Sequence, residues 1–261
     1  MKLKAALIAV IGGVFIGAAL PASASTLYLS SSTPDGFTPG PYQGTLDGVG
    51  VQLYCDDAID TVPIGGSWTV DVTSIADSTS NTRFGEATTN DWASTSNFPT
   101  GTIQAQLPTG IALYQELAWL FTQLATQTNP TIKQGIQDAA WDLTSTGGPS
   151  DDVADAKVWI AAAVDDYNKT SGIAPVSVDG TLVTVVNPAY SNWMILTDPA
   201  SVNQPTGGGN QEFLGYYNTS TPGDPPSAAP EPASFGLLGG GLLAFGTFAT
   251  RKRRAATSRN A

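Results

Sequence analysis

The first part of the chain alternates apolar and polar residues, which is typical of β-strands with one buried face. The alternation is clear over 26–29, 49–55 and 68–75. In the second of these stretches Cys55 falls at the end of the strand, on the side that carries the other apolar residues. The stretch 77–102 is polar and has no period, which predicts a long loop.

The middle of the chain changes to the period of an α-helix and predicts three helices. The first extends from its cap at Thr109 to about residue 127, with leucines along one stripe. The second begins after the N-cap Asn129 and continues to about Thr144, and a proline occupies its first position, as helices favour. Ser150 caps the third helix.

Strands return after the third helix. The stretches 176–178 and 181–186 flank an Asp-Gly pair and predict a β-hairpin, and 193–196 and 212–217 predict further short strands. The pattern as a whole predicts an α+β fold, in which residues 25–217 form a single domain of short antiparallel β-strands with a cluster of about three helices.

The first 24 residues have the features of a secretory signal peptide. Lys2 and Lys4 supply the positive charge, an apolar run follows, and Ala-Ser-Ala at 22–24 is a small-x-small cleavage site. A retained anchor helix is the alternative, but the apolar run is short and the cleavage site is clear. We therefore expect export by the general secretory route.

The C-terminal part begins with a Pro-, Ser- and Gly-rich stretch, 218–229, which predicts a linker. A Pro-Glu-Pro motif, an apolar run over 235–250 and a basic cluster follow in that order. The apolar run is barely long enough for a membrane-spanning helix, which needs roughly 17–25 residues. The motif is Pro230, Glu231 and Pro232, and the cluster is Arg251, Lys252, Arg253 and Arg254.

These three segments, within 230–261, resemble the PEP-CTERM sorting signal of Gram-negative bacteria. The resemblance implies that an exosortase cuts the chain near the Pro-Glu-Pro motif and that the apolar run holds the chain in the membrane before processing. It also implies that the body is then released or transferred to the cell surface or extracellular matrix. A plain C-terminal membrane anchor of the same topology is the alternative.

The charge of the chain excludes several classes of function. There are 22 acidic and 11 basic residues and no histidine, and most bases lie at the two ends. The body is therefore acidic and is not expected to bind nucleic acid, which needs clustered Lys and Arg. Without histidine, Ser-His-Asp catalysis, Cys-His catalysis and imidazole zinc sites are excluded, and we expect no metal or other cofactor.

Cys55 is the only cysteine of the chain, so no disulfide can form within one molecule. Its sulfur has three possible states. It can be an inert buried thiol, since free cysteine packs like a small hydrophobe. It can pair with a second chain, or it can be bonded to something other than sulfur.

Two short motifs together resemble the thioester domains of bacterial surface adhesins. They are Tyr-Cys-Asp at 54–56 and Ile-Gln-Asp-Ala-Ala-Trp at 136–141, and an Ala-Trp-Leu segment at 118–120 matches a further helix of that family. The family usually has threonine before the glutamine and isoleucine after the small residue, where this chain has isoleucine and alanine. Order and approximate spacing agree.

The resemblance implies a thioester between the Cys55 sulfur and the side-chain carbonyl carbon of Gln137, formed with loss of ammonia. Gln134, one turn earlier, is a second candidate for the acyl partner. Such a bond must be kept from water. Three aromatic side chains are expected to screen it, namely Tyr54, Trp68 and Trp141.

Two functions remain open from the sequence. The first is an adhesin-like surface or matrix protein that attaches covalently to an amine-bearing ligand through the thioester. The second is a non-covalent structural protein of the envelope or biofilm matrix in which Cys55 is inert. An enzyme is not expected, because no histidine can activate the thiol and Asp56 and Asp57 would raise its pKa.

Overall fold

The computed structural model describes residues 24–31, 40–76, 79–86, 108–145, 153–169 and 172–217. The predicted signal peptide up to residue 23, the linker over 218–229 and the sorting signal over 230–261 lie outside these residues. The described strands are β1 (Ser25–Ser31), β2 (Tyr42–Leu46), β3 (Val49–Cys55), β4 (Ser67–Ser74), β5 (Val176–Val178), β6 (Thr181–Val183), β7 (Trp193–Thr197) and β8 (Phe213–Tyr216). The described helices are α1 (Gly110–Thr126), α2 (Pro130–Thr144) and α3 (Val153–Asp166).

A closed β-barrel is the centre of the described part of the chain. Its strand order is β1-β2-β3-β8-β7-β4, and β4 pairs with β1 to complete the ring. Each pairing is antiparallel. The β5–β6 hairpin is a separate two-stranded sheet. Closure leaves none of the six barrel strands with a free edge.

The predicted fold class, short antiparallel strands with a cluster of about three helices, is therefore wrong in its architecture, because six of the strands form a closed barrel. The strand that sequence reasoning missed is β2. Its sequence, Tyr-Gln-Gly-Thr-Leu, has too little apolar character to predict a strand, yet it pairs with both β1 and β3. Asp47 and Gly48 form the turn to β3, both with positive φ (51° and 84°), as a tight hairpin requires.

Two glycines allow the barrel to be narrow. A Cβ atom on Gly44 would lie 2.6 Å from the carbonyl oxygen of Tyr28 and 2.7 Å from Cδ1 of Leu53. A Cβ atom on Gly215 would lie 3.0 Å from side-chain carbons of Leu196 and Met194. Neighbouring strands fill the space that any side chain would occupy at these positions.

The barrel encloses one hydrophobic core, formed by the inward side chains of its strands. The helices cover the outer face of β7 and β8 and form a second core there. Trp193 and Ile195 of β7 belong to the helix-facing core, whereas Met194 and Leu196 belong to the barrel interior. The buried residues of the barrel interior are Leu27, Leu29, Leu46, Val51, Leu53, Cys55, Val70, Met194, Leu196 and Phe213.

The helices pack closely on one another. Gly135 of α2 lies against α3, where a Cβ atom would approach Cβ of Asp155 to 2.6 Å. Across the described residues, no helix is both long enough and apolar enough to cross a bilayer. The predicted apolar run over 235–250 lies outside those residues.

Candidate functional site

Cys55 is the last residue of β3 and points into the barrel at the end where β8 begins. It pairs with Phe213 in the β3–β8 register, and only 1% of the residue is exposed. The alternation along the strand predicted that Cys55 is buried at the strand end. Val51 and Leu53 belong to the same core as Cys55. The thiol is free of any disulfide.

Helix α2 carries Gln137 to the main chain of Cys55. The helix begins where Asn129 accepts a hydrogen bond from the Thr131 amide at 3.0 Å. Gln137 lies two turns along and is fully buried. Its Nε2 donates to the carbonyl oxygen of Cys55 at 2.8 Å. Its Oε1 is buried and accepts no hydrogen bond from the described residues.

The position of α2 is fixed by contacts beyond the strand end. Thr144 donates its hydroxyl to the carbonyl oxygen of Asp56 and also to that of Ala140, the latter at 3.0 Å. The Ala58 amide donates to Oγ of Ser145 at 3.4 Å. Ala139 and Ala140, at the centre of the helix, are fully buried in the helix-facing core.

Three polar groups surround the sulfur. The thiol donates to the carbonyl oxygen of Asp57 at 3.0 Å. Nε1 of Trp141 lies 3.4 Å from Sγ, and Nε2 of Gln211 lies 2.5 Å from it; both donate to the sulfur. Nε2 of Gln211 also donates to the Asp57 carbonyl oxygen at 2.5 Å. The carboxamide in direct contact with the sulfur is therefore that of Gln211, whereas the Gln137 amide reaches the Cys55 backbone.

Gln211 was missed by sequence reasoning because no motif includes it. The only signal was its position directly before the predicted strand at 212–217. That position becomes informative once β8 is known to pair with β3, since the pairing sets the start of β8 beside the end of β3.

Burial raises the pKa of the Cys55 thiol to about 12. The Trp141 hydrogen bond opposes this rise, while the negative charge of Asp56 adds to it. The thiol is therefore neutral near pH 7. A neutral thiol in an apolar core is not the activated nucleophile of a thiol enzyme.

The predicted aromatic screens lie in different places. Trp141 is half-buried and contacts the sulfur. Trp68 packs against the barrel core beside Phe213, with ring centroids 6.1 Å apart. Tyr54 points to the opposite face of β3 and stacks on Phe121 in the helix-facing core. The alternation of side chains along β3 separates Tyr54 from the thiol.

Gln134, the second candidate acyl partner, uses its amide within α2. Its Nε2 donates to Oδ1 of Asp138 at 2.8 Å, and the side chain is half-buried. The described contacts of Gln134 do not include Cys55.

A buried charged cluster lies immediately beyond Cys55. Arg83 forms ion pairs with Asp57 and, at 2.7 Å, with Asp60. The Arg83 amide donates to Glu212 at 2.9 Å, and the hydroxyl of Tyr114 donates to the same carboxylate at 2.7 Å. Arg83 falls in the stretch predicted to be a loop. The signal that could have identified it was its position as an isolated base in an acidic body.

Two buried carboxyl groups next to the thiol and the ion pairs, those of Asp56 and Glu212, hold protons more tightly than exposed ones. Burial raises the pKa of Asp56, and the charges of Glu212 and Asp57 add to the rise. Burial also raises the pKa of Glu212, although hydrogen bonds from Thr197 and Tyr114 oppose it. No group of three or more acidic or cysteine side chains in the described part of the chain could hold a metal ion.

Comparison with known proteins identifies the C-terminal signal. Residues 228–254 match the PEP-CTERM protein-sorting motif. The chain therefore carries the signal of exported, surface-directed proteins that exosortases process in Gram-negative bacteria, as the residues at 230–232 and 251–254 predicted. No curated protein and no solved structure matches the chain.

Proposed function

We propose that this protein is an exported surface or matrix protein whose body forms an internal thioester between Cys55 and Gln137 and thereby attaches covalently to amines. The observation that carries the proposal is the position of Gln137. This fully buried carboxamide donates to the main chain of the only cysteine and has a carbonyl oxygen without a hydrogen bond among the described residues. A buried unsatisfied amide oxygen is costly, typically about 1–3 kcal/mol.

The proposed reaction balances without any further reagent. The sulfur of Cys55 attacks the side-chain carbonyl carbon of Gln137, so that the C–S bond forms and the C–N bond breaks. The thiol proton leaves with the amide nitrogen as ammonia. No oxidant, metal or cofactor takes part.

Two features of the site support the reaction. Helix α2 holds the Gln137 carboxamide against the main chain of Cys55, with Nε2 2.8 Å from its carbonyl oxygen. Well-oriented intramolecular reactions gain about 7–11 kcal/mol from proximity. The sulfur is also screened, since Cys55 is only 1% exposed. Screening slows hydrolysis of the thioester by bulk water.

The stored acyl group is an electrophile for amines. When a lysine or polyamine nitrogen attacks the acyl carbon, an amide forms on the Gln137 side chain and the thiol of Cys55 is released. The event occurs once per molecule. The proposed function is therefore covalent attachment to an amine-bearing surface or matrix ligand, and the protein is not an enzyme.

Intact-mass measurement of the exported protein tests the proposal. Wild-type protein is expected to lack the mass of one ammonia and to show no titratable thiol after denaturation. Methylamine is expected to add its own mass to the thioester form and to release one thiol. Cys55→Ala and Gln137→Ala should keep their full calculated mass.

Gln134→Ala is the matched control, because it removes a carboxamide from the same helix one turn earlier. It is expected to retain the ammonia deficit. A wild-type protein with its full calculated mass and a titratable thiol would rule out the thioester.

A second function is favoured by the environment of the sulfur. Cys55 packs among apolar barrel residues, and burial raises the pKa of its thiol to about 12, as expected for an inert cysteine. The protein would then be a non-covalent structural component of the envelope or biofilm matrix. Cys55→Ala should in that case preserve any adhesion or aggregation of the cells. Loss of that phenotype in a folded Cys55→Ala protein would contradict it.

A further inference from the structure

We propose that Gln211 takes part in the reaction of the thioester, as the N–H donor that stabilises the Cys55 sulfur when its bond to Gln137 opens. This inference rests on the proposed function. It assigns a role to a side chain that lies outside both motifs.

The geometry places two N–H donors on one sulfur. Nε2 of Gln211 lies 2.5 Å from Sγ and Nε1 of Trp141 lies 3.4 Å from it. Gln211 is 9% exposed, so its amide is largely shielded from water. Donors that are fixed before a charge develops, in a site that excludes water, stabilise that charge more than solvent does.

The sulfur needs such donors because its surroundings oppose a negative charge. The barrel interior is apolar, and the carboxyl groups of Asp56 and Asp57 are close enough to disfavour a thiolate. The nearest described guanidinium, that of Arg83, is engaged by Asp57 and Asp60. Among the described contacts of the sulfur, the groups that can stabilise a thiolate are the neutral N–H groups of Trp141 and Gln211.

The residues on either side of Gln211 are held firmly. Asn210 donates its amide to Oδ2 of Asp198 at 2.9 Å, and its carbonyl oxygen accepts from Oγ of Ser201 at 2.8 Å. On the other side Glu212 accepts from the Arg83 amide at 2.9 Å. Gln211 therefore lies between Asn210, whose backbone is hydrogen-bonded, and Glu212, whose side chain is hydrogen-bonded. This is the arrangement that a positioned donor requires.

The step in which Gln211 acts can be written in full. An amine nitrogen attacks the acyl carbon of Gln137, the C–S bond breaks, and its electron pair remains on the Cys55 sulfur. The N–H groups of Gln211 and Trp141 donate to that thiolate as it forms. The proton that the amine loses then reaches the sulfur, and the thiol donates to the Asp57 carbonyl oxygen as described above.

The methylamine reaction separates this role from a structural one. Gln211→Met keeps the approximate side-chain volume and removes the donor. Because Gln137 supplies the acyl group, this variant is still expected to lack one ammonia. Its opening by methylamine should be about ten- to a hundredfold slower than in wild type, the range expected for a lost hydrogen bond to a charged group.

A second variant keeps the test usable if the first folds poorly. Gln211→Asn keeps a carboxamide but is one methylene shorter, so it should not reach the sulfur and should also open slowly. Gln43→Met, a half-buried glutamine on β2, is the matched control and should open at the wild-type rate. Equal opening rates in wild type and both Gln211 variants would overturn the proposal. An ammonia deficit that survives Gln137→Ala and disappears in Gln211→Met would also overturn it, because Gln211 would then be the acyl partner.

A last measurement does not depend on thioester formation. In a Gln137→Ala background the thiol is free, and its rate of alkylation by iodoacetamide at pH 8 is proportional to the fraction present as thiolate. Adding Gln211→Met should lower that rate about ten- to a hundredfold, whereas adding Gln43→Met should leave it unchanged. An unchanged rate in the Gln211→Met variant would refute the donor role. A full calculated mass of the wild-type protein would instead refute the proposed function.

Discussion

Arg83 forms an ion pair that solvent does not reach with Asp57, which follows the cysteine of the candidate site by two residues. The same guanidinium donates to the carbonyl oxygens of Gly208 and Asn210, both at 3.2 Å. One side chain thus joins the segment after β3 to the segment before β8. Both segments carry groups that contact the sulfur of Cys55.

Loss of the Arg83 charge should destabilise the fold strongly. Arg83→Met leaves Asp57 buried without its partner, and removal of one member of a buried pair typically costs about 3–5 kcal/mol. Urea denaturation of the variant measures the loss of unfolding free energy. Lys169→Met is the matched control, because Lys169 pairs with Asp166 at an exposed position and should cost at most about 1 kcal/mol. Similar losses in the two variants would contradict the structural role of Arg83.

Glu116 should make stability fall as the pH rises. Burial raises the pKa of this α1 carboxyl from 4.5 to about 8. The folded state therefore keeps the proton up to about pH 8, while the unfolded state releases it near 4.5. Unfolding then releases a proton over this window, and the unfolding free energy decreases through it by an amount on the order of a few kcal/mol.

Glu116→Gln isolates this contribution. The variant cannot ionise, so it should be more stable than wild type at pH 9 and similar to it at pH 4. Asp56 and Glu212 also have raised pKa values. They make the unfolding free energy fall with rising pH in wild type and variant alike, so only the difference between the two proteins reports Glu116. Glu86→Gln, which removes the same charge at an exposed position, is the matched control variant. Parallel stability profiles for wild type and Glu116→Gln would disprove the prediction.

A methyl group at Gly44 should disrupt the barrel. The added carbon would lie 2.6 Å from a main-chain oxygen of β1, which cannot move without breaking strand pairing. We expect Gly44→Ala to lose at least about 1–3 kcal/mol, as overpacked cores do. Gly50→Ala on β3 is the control, since nothing lies within 4 Å of its added carbon. It should be neutral or slightly stabilising, and thermal unfolding of both variants decides the point.

Gln123 should hold the segment after the β5–β6 hairpin onto α1. Its Nε2 donates to the Val186 carbonyl oxygen at 2.7 Å, and its Oε1 accepts from the Val186 amide at 2.9 Å. In Gln123→Met the Val186 amide loses this acceptor, so its hydrogen exchange should become much faster. Gln127→Met removes a glutamine whose side chain bonds only to Thr126 in the described residues, and the Val186 exchange rate should not change. Unchanged exchange at Val186 in Gln123→Met would show that other contacts hold the segment.

Much of the local structure could be predicted from the sequence. The N-cap at Asn129 and the alternation that ends at Cys55 describe α2 and β3 closely. These elements depend on interactions between residues close together in the chain, and such interactions can be inferred from a single sequence. The closed barrel could not be predicted in the same way, because it depends on which strands meet and on β2, whose apolar pattern is weak. The Asp-Gly pair at 47–48 was the available signal for that hairpin.

The candidate site was only partly accessible to sequence reasoning. The helix motif drew attention to Gln137 and Trp141, which the structure brings to Cys55. Gln211 and Arg83 belong to no motif. Gln211 reaches the site through strand pairing, and Arg83 reaches it from the segment 79–86. Contacts between residues more than a hundred positions apart leave no local pattern.

The pairing of β8 has a mechanical consequence. This strand pairs over four positions with β3 on one edge and over four with β7 on the other. Its sequence continues into the linker and the sorting motif. Tension applied through that end of the chain acts along a strand that is bonded on both edges. Both ladders must then shear together, whereas a strand at a free edge would peel away one bond at a time.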